Sequence, residues 1–150
     1  MSLDELYREV ILDHFEHPRN KGKLEPHELH EHGSNPLCGD TVDIYLNFDE
    51  TGKVSDIKYN GSGCSISQSS ISMLTEAITG KSYEEIKKII LDFKTMLLED
   101  KPNPFIDNED LEDLATLEGV KKYPVRVKCA LLGWNTLDEA LKKKFSANVS

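Results

Sequence analysis

The chain has 150 residues, of which 38% are hydrophobic and 30% are charged, and its formal net charge is −9. A chain of this length suits one domain with a core of its own. The acidic balance disfavours nucleic acid as a partner, because phosphate binding requires a basic face. No apolar run approaches the roughly 18 residues of a membrane span, and the acidic N-terminal segment does not have the pattern of a secretory signal. We therefore predict one cytoplasmic domain, residues 1–150, with neither nucleic acid nor membrane as a partner.

The N-terminal segment predicts a helix that ends before Pro18. Ser2 and Glu5 form a capping-box pattern ahead of it. Apolar and aromatic positions then recur at helical spacing, at Leu3, Leu6, Tyr7, Val10, Ile11, His14 and Phe15. Residues 19–37 combine glycine, proline, asparagine and charge without any period, which predicts a loop.

The next segments predict a small sheet followed by helices. Residues 42–48 alternate apolar with polar side chains, and a turn separates them from a second strand at 54–59, which indicates an antiparallel hairpin. Capping boxes at Ser65 and Ser82 start two helices, and the acidic residues 99–110 predict an exposed loop. After a short amphipathic segment, Pro124 precedes the last helix. The fold class is α+β, with a small antiparallel sheet of about three strands covered by helices.

The three cysteines lie where predicted elements begin or end. Cys38 precedes the first strand, Cys64 stands one residue before a helix cap, and Cys129 opens the last helix. An odd number of cysteines argues against a disulfide framework, and the N–H groups and dipole of a helix start favour a thiolate. The alternative is three small buried hydrophobes, although core cysteines would be expected inside elements.

The sequence Cys38-Gly39-Asp40 places a thiol and a carboxylate two residues apart, so that both point the same way in an extended strand. Together with Cys64 and Cys129 they supply three sulfurs and one oxygen, the number of donors in a tetrahedral Zn²⁺ site. The spacing differs from the paired C-x-x-C of a zinc ribbon, so it is a weak signal for metal by itself.

The context of each cysteine resembles the U-type iron–sulfur cluster assembly proteins, which include IscU, SufU and the N-terminal domain of NifU. The matching segments are residues 35–40 (NPLCGD), 61–67 (GSGCSIS) and 126–134 (RVKCALLGW), with residues 17–22 (HPRNKG) ahead of them. The likeness extends from about residue 3 to residue 144. It implies the IscU/SufU-like fold.

The resemblance implies that Cys38, Asp40, Cys64 and Cys129 bind Zn²⁺ or, alternatively, iron in a [2Fe–2S] cluster. In SufU-like proteins a cysteine desulfurase (SufS-like) docks, displaces one thiolate ligand and passes persulfide sulfur to it. We expect Cys38 to be this acceptor and a downstream cluster scaffold or apoproteins to receive the product. Arg126 is a candidate catalytic residue that would offset the negative charge of the site; a solvated charge at a helix start is the other interpretation.

Two departures from IscU indicate that SufU is the nearer relative. Lys128 replaces the histidine that precedes the third cysteine in IscU, and residues 97–119 resemble the insertion of SufU. Residues 123–127 (YPVRV) stand where IscU has its chaperone motif, so dependence on a chaperone is not expected. A zinc-dependent sulfur acceptor, and thus a possible zinc-dependent sulfurtransferase, is the first hypothesis. A non-enzymatic scaffold that assembles and transfers a labile [2Fe–2S] cluster is the second, and a structural zinc protein is the third.

Overall fold

The computed structural model describes residues 3–37 and 39–145, and its α+β architecture confirms the predicted fold class. The helices are α1 (Leu3–Glu16), α2 (Ser65–Ile78), α3 (Tyr83–Leu98), α4 (Glu112–Thr116) and α5 (Pro124–Phe145), and the strands are β1 (Leu29–Asn35), β2 (Asp40–Phe48) and β3 (Val54–Ser62). Short 3₁₀ segments, Glu109–Leu111 and Leu117–Lys122, stand on either side of α4.

The three strands form one antiparallel sheet in the order β1-β2-β3. Val42, Ile44 and Leu46 on β2 are fully buried, and Ile57 and Tyr59 of β3 are also in the core. Helix α5 contacts β1 and β2, while α2 contacts β3. The predicted hairpin of β2 and β3 is therefore confirmed, and helices cover its apolar face.

Strand β1 corrects the prediction of a loop over residues 19–37. Its less exposed positions include Leu29, Glu31 and Gly33, so the apolar alternation that would indicate a strand is absent from the sequence. At Gly33 the strand passes so close to α5 that an added Cβ would lie 2.0 Å from Thr136 Oγ1. This strand is stabilised by pairing with β2 and by packing on α5 rather than by its own hydrophobic pattern.

Three capping boxes were predicted, and the one at Ser2 lies outside the described residues; of the other two, one is confirmed. Ser82 caps α3: its hydroxyl accepts from the Glu85 N–H, and the Glu85 carboxylate accepts from the Ser82 N–H. The box predicted at Ser65 is wrong, because Cys64 is the N-cap of α2 and its side chain makes no capping bond. The thiol of Cys64 is therefore not engaged in capping the helix.

Trp134 joins the helices that carry two of the cysteines. It is fully buried, and its ring stacks on Phe93 of α3 with the centroids 4.2 Å apart. Its indole N–H donates to Ser70 Oγ at 3.0 Å, and the Ser70 hydroxyl donates to the carbonyl of Ala130 at 2.7 Å. These contacts set the position of α2, which follows Cys64, relative to α5.

Residues 99–110 were predicted to form an exposed loop, but this acidic segment after α3 is partly buried. Phe105 is buried and belongs to the hydrophobic core, and the side-chain amide of Asn103 donates to the carbonyl of Ala115 at 2.9 Å.

Within the described ranges, no helix has both the length and the apolarity needed to cross a bilayer. The assignment of residues 1–150 to one domain stays a prediction.

Candidate metal centre

Three of the predicted site residues meet at one point of the fold. Asp40 begins β2, Cys64 caps α2, and Cys129 lies on α5. One oxygen of Asp40 and the two sulfurs lie within 4.8 Å of one another, with Asp40 and Cys129 buried and Cys64 half-buried. Cys38 lies outside the described residues. The arrangement brings together donors from three separate elements, which is a geometry that can hold a metal ion.

The carboxylate of Asp40 is oriented by the backbone that leads into α2. It is only 1% exposed, and its Oδ1 accepts the backbone N–H of Cys64 at 3.0 Å. Its Oδ2 lies 4.0 Å from the Cys64 sulfur. One carboxylate oxygen is therefore held by the backbone, while the other faces the thiols and is placed to act as a ligand.

Gly63 permits this close approach between Asp40 and the start of α2. An added Cβ would lie 2.3 Å from Asp40 Oδ1 and 2.6 Å from Ser67 Oγ, distances at which atoms must move. Ser67 also donates to the carbonyl of Cys64 at 3.1 Å. The glycine before Cys64 is thus needed because the carboxylate occupies the space of a side chain.

Replacing Gly63 with alanine is expected to push the Asp40 carboxylate out of position and to weaken zinc binding by at least about tenfold. Competition with a zinc chelator measures the affinity. Gly52→Ala is the matched control, because Gly52 also has a positive φ (87°) but its Cβ would meet no atom within 4 Å. Equal zinc affinity in the two variants would contradict the steric argument.

The prediction that Cys129 opens the last helix is wrong. Helix α5 begins at Pro124, which suits the first helical position because its missing N–H needs no partner there. Cys129 consequently lies in the second turn, fully buried, with its sulfur 3.9 Å from the carbonyl of Val125. Free N–H groups of a helix start therefore do not act on this thiol.

Arg126 supplies positive charge to both cysteines of the centre. A hydrogen bond to Cys129, followed by the negative charge of Cys64, raises the pKa of the Arg126 guanidinium. The side chain is exposed and precedes Cys129 by about one helical turn. It can compensate negative charge on the sulfurs from the solvent side of the centre.

Tyr7 is a neighbour of the centre that the sequence did not reveal. Burial, and then the proximity of Tyr123 and Cys64, raises the pKa of the Tyr7 phenol. Its ring packs on Gly119, where a Cβ would lie 2.8 Å from the ring carbon Cδ1. The helical period places Tyr7 on the apolar stripe of α1, but no local sequence pattern indicates that Tyr7 lies near Cys64.

Comparison with known proteins agrees with this geometry. Residues 6–130 match the family described as NifU-like N terminal domain. The chain belongs to this family. Among its relatives, the zinc-dependent sulfurtransferase SufU of Bacillus subtilis is 40% identical over 147 residues, which cover 98% of this chain and 97% of that protein. The iron–sulfur cluster assembly scaffold protein IscU of Streptococcus pyogenes is 39% identical, with 97% and 88% covered.

The fold of this NifU-like chain is also found in solved structures. A putative iron–sulfur cluster assembly scaffold protein for the SUF system from Fervidobacterium islandicum superposes with a TM-score of 0.81 at 37% identity, covering 92% of this chain and 98% of that one. A nitrogen-fixing NifU-like protein (N-terminal) from Brucella abortus gives a TM-score of 0.82 at 25% identity, covering 94% of this chain and 96% of that one. The resemblance seen in the sequence is confirmed.

Proposed function

We propose that this chain is an iron–sulfur cluster assembly protein that accepts persulfide sulfur from a cysteine desulfurase at a metal centre of three cysteines and one aspartate. The observation that carries the proposal is the convergence of Asp40, Cys64 and Cys129, whose donor atoms lie within 4.8 Å of one another. The family and the name of the Bacillus subtilis relative support the same function. We place the protein in the cytoplasm.

The donor set suits zinc. Two sulfurs and a carboxylate oxygen lie close together in the structure. We propose Cys38, two residues before Asp40 in the sequence, as the fourth ligand. Four donors rich in thiolate favour tetrahedral Zn²⁺ over hard ions such as Mg²⁺. When bound, zinc would keep the thiols deprotonated near neutral pH and moderate their reactivity.

Arg126 is proposed to stabilise a thiolate that leaves the metal. Three thiolates and a carboxylate carry more negative charge than Zn²⁺ can offset, and the contact of the guanidinium with Cys129 and Cys64 places a positive charge against that excess. The hydrogen bond of the guanidinium to Cys129 supports this role over a solvated charge. Lys128, exposed on the same helix, stands where the resemblance to IscU implies a histidine.

The proposed sulfur transfer is an exchange reaction with no net oxidation. The thiolate of Cys38 attacks the terminal sulfur of the persulfide on the desulfurase, forming a sulfur–sulfur bond on Cys38. The sulfur–sulfur bond of the desulfurase breaks at the same time, and its cysteine leaves as a thiolate. The chain then carries a persulfide for a downstream scaffold or apoprotein.

A partly apolar surface beside the centre supports a protein partner. Leu37, Tyr123 and Val125 are 75%, 52% and 70% exposed, respectively, and together with Arg126 they line an open groove of about 660 Å³. Exposed apolar side chains grouped in this way are typical of interaction surfaces. We propose that a SufS-like cysteine desulfurase docks here, with its persulfide directed to the cysteines.

The carboxylate of Asp40 among the cysteines favours a second candidate function, which is a scaffold for a labile [2Fe–2S] cluster. Such clusters are usually held by thiolates alone, and a carboxylate oxygen among sulfurs would weaken the attachment and ease release. The Streptococcus pyogenes relative is named a scaffold protein. The same four residues would then bind iron instead of zinc.

Metal analysis and desulfurase turnover separate the candidates. For a sulfur acceptor we expect anaerobically purified protein to retain about one tightly bound zinc per chain without acid-labile sulfide, and to accelerate alanine production by the desulfurase several-fold. Iron together with acid-labile sulfide, and no acceleration, would favour the scaffold. Zinc with no acceleration would leave a structural zinc protein and refute both.

A further inference from the structure

A second cluster of ligand-type side chains lies outside the cysteine centre. His14 of α1, Glu76 of α2 and Asp113 of α4 each offer one donor atom, and these atoms lie within 4.8 Å of one another. His14 Nε2 is 3.0 Å from Asp113 Oδ2 and 3.9 Å from Glu76 Oε1. We propose that the three residues form a second binding site, for a divalent transition-metal cation such as Zn²⁺ or Mn²⁺.

His14 is held in the orientation that a metal ligand needs. The residue is 1% exposed, and its Nδ1 lies 2.8 Å from Ser72 Oγ, which also accepts the backbone N–H of Arg19. With the proton on Nδ1, the ring donates to Ser72 and presents the Nε2 lone pair to the two carboxylates, the arrangement of metal-bound histidines. In the absence of a cation, the tautomer with its proton on Nε2 can instead donate to Asp113.

The charge around His14 is unbalanced in favour of a cation. Arg19 forms an ion pair with Asp13 and lies 3.7 Å from Glu76 Oε1. Asp113 adds a third carboxylate through its contact with His14, so that three negative charges and one guanidinium leave a net charge of −2 around a neutral imidazole. A divalent ion would neutralise this excess.

An acidic cavity lies beside two members of the cluster, Glu76 and Asp113. It has a volume of about 210 Å³, which is room for an ion and its water ligands. Its acidic lining residues are Glu76, Glu109, Asp110, Glu112 and Asp113. A concave surface lined by one sign of charge raises the local concentration of the opposite ion.

The distances suit a first-row transition metal. Two donors each about 2.1 Å from one ion are about 3.0 Å apart at 90° and about 3.4 Å apart at 109°. The His14–Asp113 distance already meets the first value, and the half-exposed side chain of Glu76 is free of the core and can approach. One imidazole nitrogen, two carboxylate oxygens and water suit Zn²⁺, Mn²⁺ or Fe²⁺ better than a thiolate-seeking ion.

The second site is separate from the cysteine centre. Cys64 caps the start of α2, and Glu76 lies twelve residues later, about 18 Å along the helix axis. A cation bound there would connect α1, α2 and α4, and so would attach the segment between α3 and α5 to the helices on which the cysteine centre is built. The site would stabilise the fold by binding only its folded form.

Zinc titration of the zinc-containing protein tests the proposal. Protein dialysed to retain only its tight zinc is titrated with Zn²⁺ in a calorimeter, and thermal unfolding is followed with and without the added ion. We expect one further equivalent of Zn²⁺ to bind and to raise Tm.

Asp113→Asn is expected to weaken this binding at least about tenfold, because the amide can still accept a hydrogen bond from His14 but is a poor ligand. Asp110→Asn, on the same cavity rim, is the matched control and should bind normally.

Two further variants keep the outcome decisive. Glu76→Gln changes a half-exposed ligand and should also weaken the second equivalent, so a folding defect of Asp113→Asn would not obscure the result. His30 and His32, which both contact Asp43 on the sheet, are the competing zinc ligands. Absence of a second equivalent in the wild type, or its loss in His30→Ala/His32→Ala with retention in Asp113→Asn and Glu76→Gln, would overturn the proposal.

Discussion

Replacing Asp40 with asparagine is expected to remove the zinc that we propose at the cysteine centre and to leave the protein folded. The amide oxygen of asparagine can still accept the backbone N–H of Cys64, as Oδ1 does now at 3.0 Å. An NH₂ group in place of Oδ2 would face the thiols and cannot ligate a metal. Because outer partners of metal ligands alone contribute about 10- to 100-fold in affinity, we expect the loss of a ligand to exceed about 100-fold.

Chelator competition measures this loss, and denaturant unfolding of the metal-free proteins checks the fold. Asp43→Asn is the matched control. Asp43 lies on the same strand, where its carboxylate contacts His30 and His32 instead of the cysteines. It should bind zinc as the wild type does. Retention of wild-type zinc affinity by Asp40→Asn would contradict the assignment of Asp40 as a ligand.

Replacing Cys38 with alanine is expected to abolish the acceleration of the desulfurase. The variant keeps Asp40, Cys64 and Cys129, but it lacks the thiolate that we propose as the acceptor of the terminal sulfur. Turnover should fall to the rate of the desulfurase alone, whatever the concentration of the variant. Alanine production under saturating cysteine measures the rate, and labelling of persulfides on this chain shows where the sulfur goes.

Asp43→Asn again provides the control for expression and folding, and should accelerate the desulfurase normally. Full acceleration by Cys38→Ala would assign the acceptor role to another cysteine. A persulfide found on Cys64 or Cys129 of that variant would identify which one. Loss of zinc without loss of acceleration would separate metal binding from sulfur transfer.

Local patterns predicted the parts of the fold that carry their own hydrophobic signal. Helix α1, the hairpin of β2 and β3 and the capping box at Ser82 were all evident in the sequence, and the structure confirms them. The predicted stripe of α1 is confirmed only in part, because Leu6 and Phe15 are exposed. Strand β1 was missed because Glu31 and Gly33 occupy positions where an isolated pattern requires apolar residues. Its inner side is shaped by the approach of Thr136 from α5, which is a distant part of the chain.

The chemistry of the candidate site was available from residue types and their neighbours, but part of its geometry was not. The sequence indicated that Asp40, Cys64 and Cys129 belong together, and their donor atoms do meet. The prediction that Cys129 opens the last helix was wrong, since α5 begins five residues earlier at Pro124. The position of Tyr7 beside Cys64 was invisible, because helical periodicity reports a face and not its partner.

By itself, the amino-acid sequence determined the α+β class, the family and the chemical nature of the donors, because each of these is encoded in local pattern or in residue type. Only the tertiary structure decided which side chains share a point in space. The packing of Trp134 of α5 against α2 and α3 orients the helices that bring Cys64 and Cys129 together. The meeting of His14, Glu76 and Asp113 likewise depends on three helices far apart in the chain. Such distances follow from long-range packing, which no local window of sequence contains.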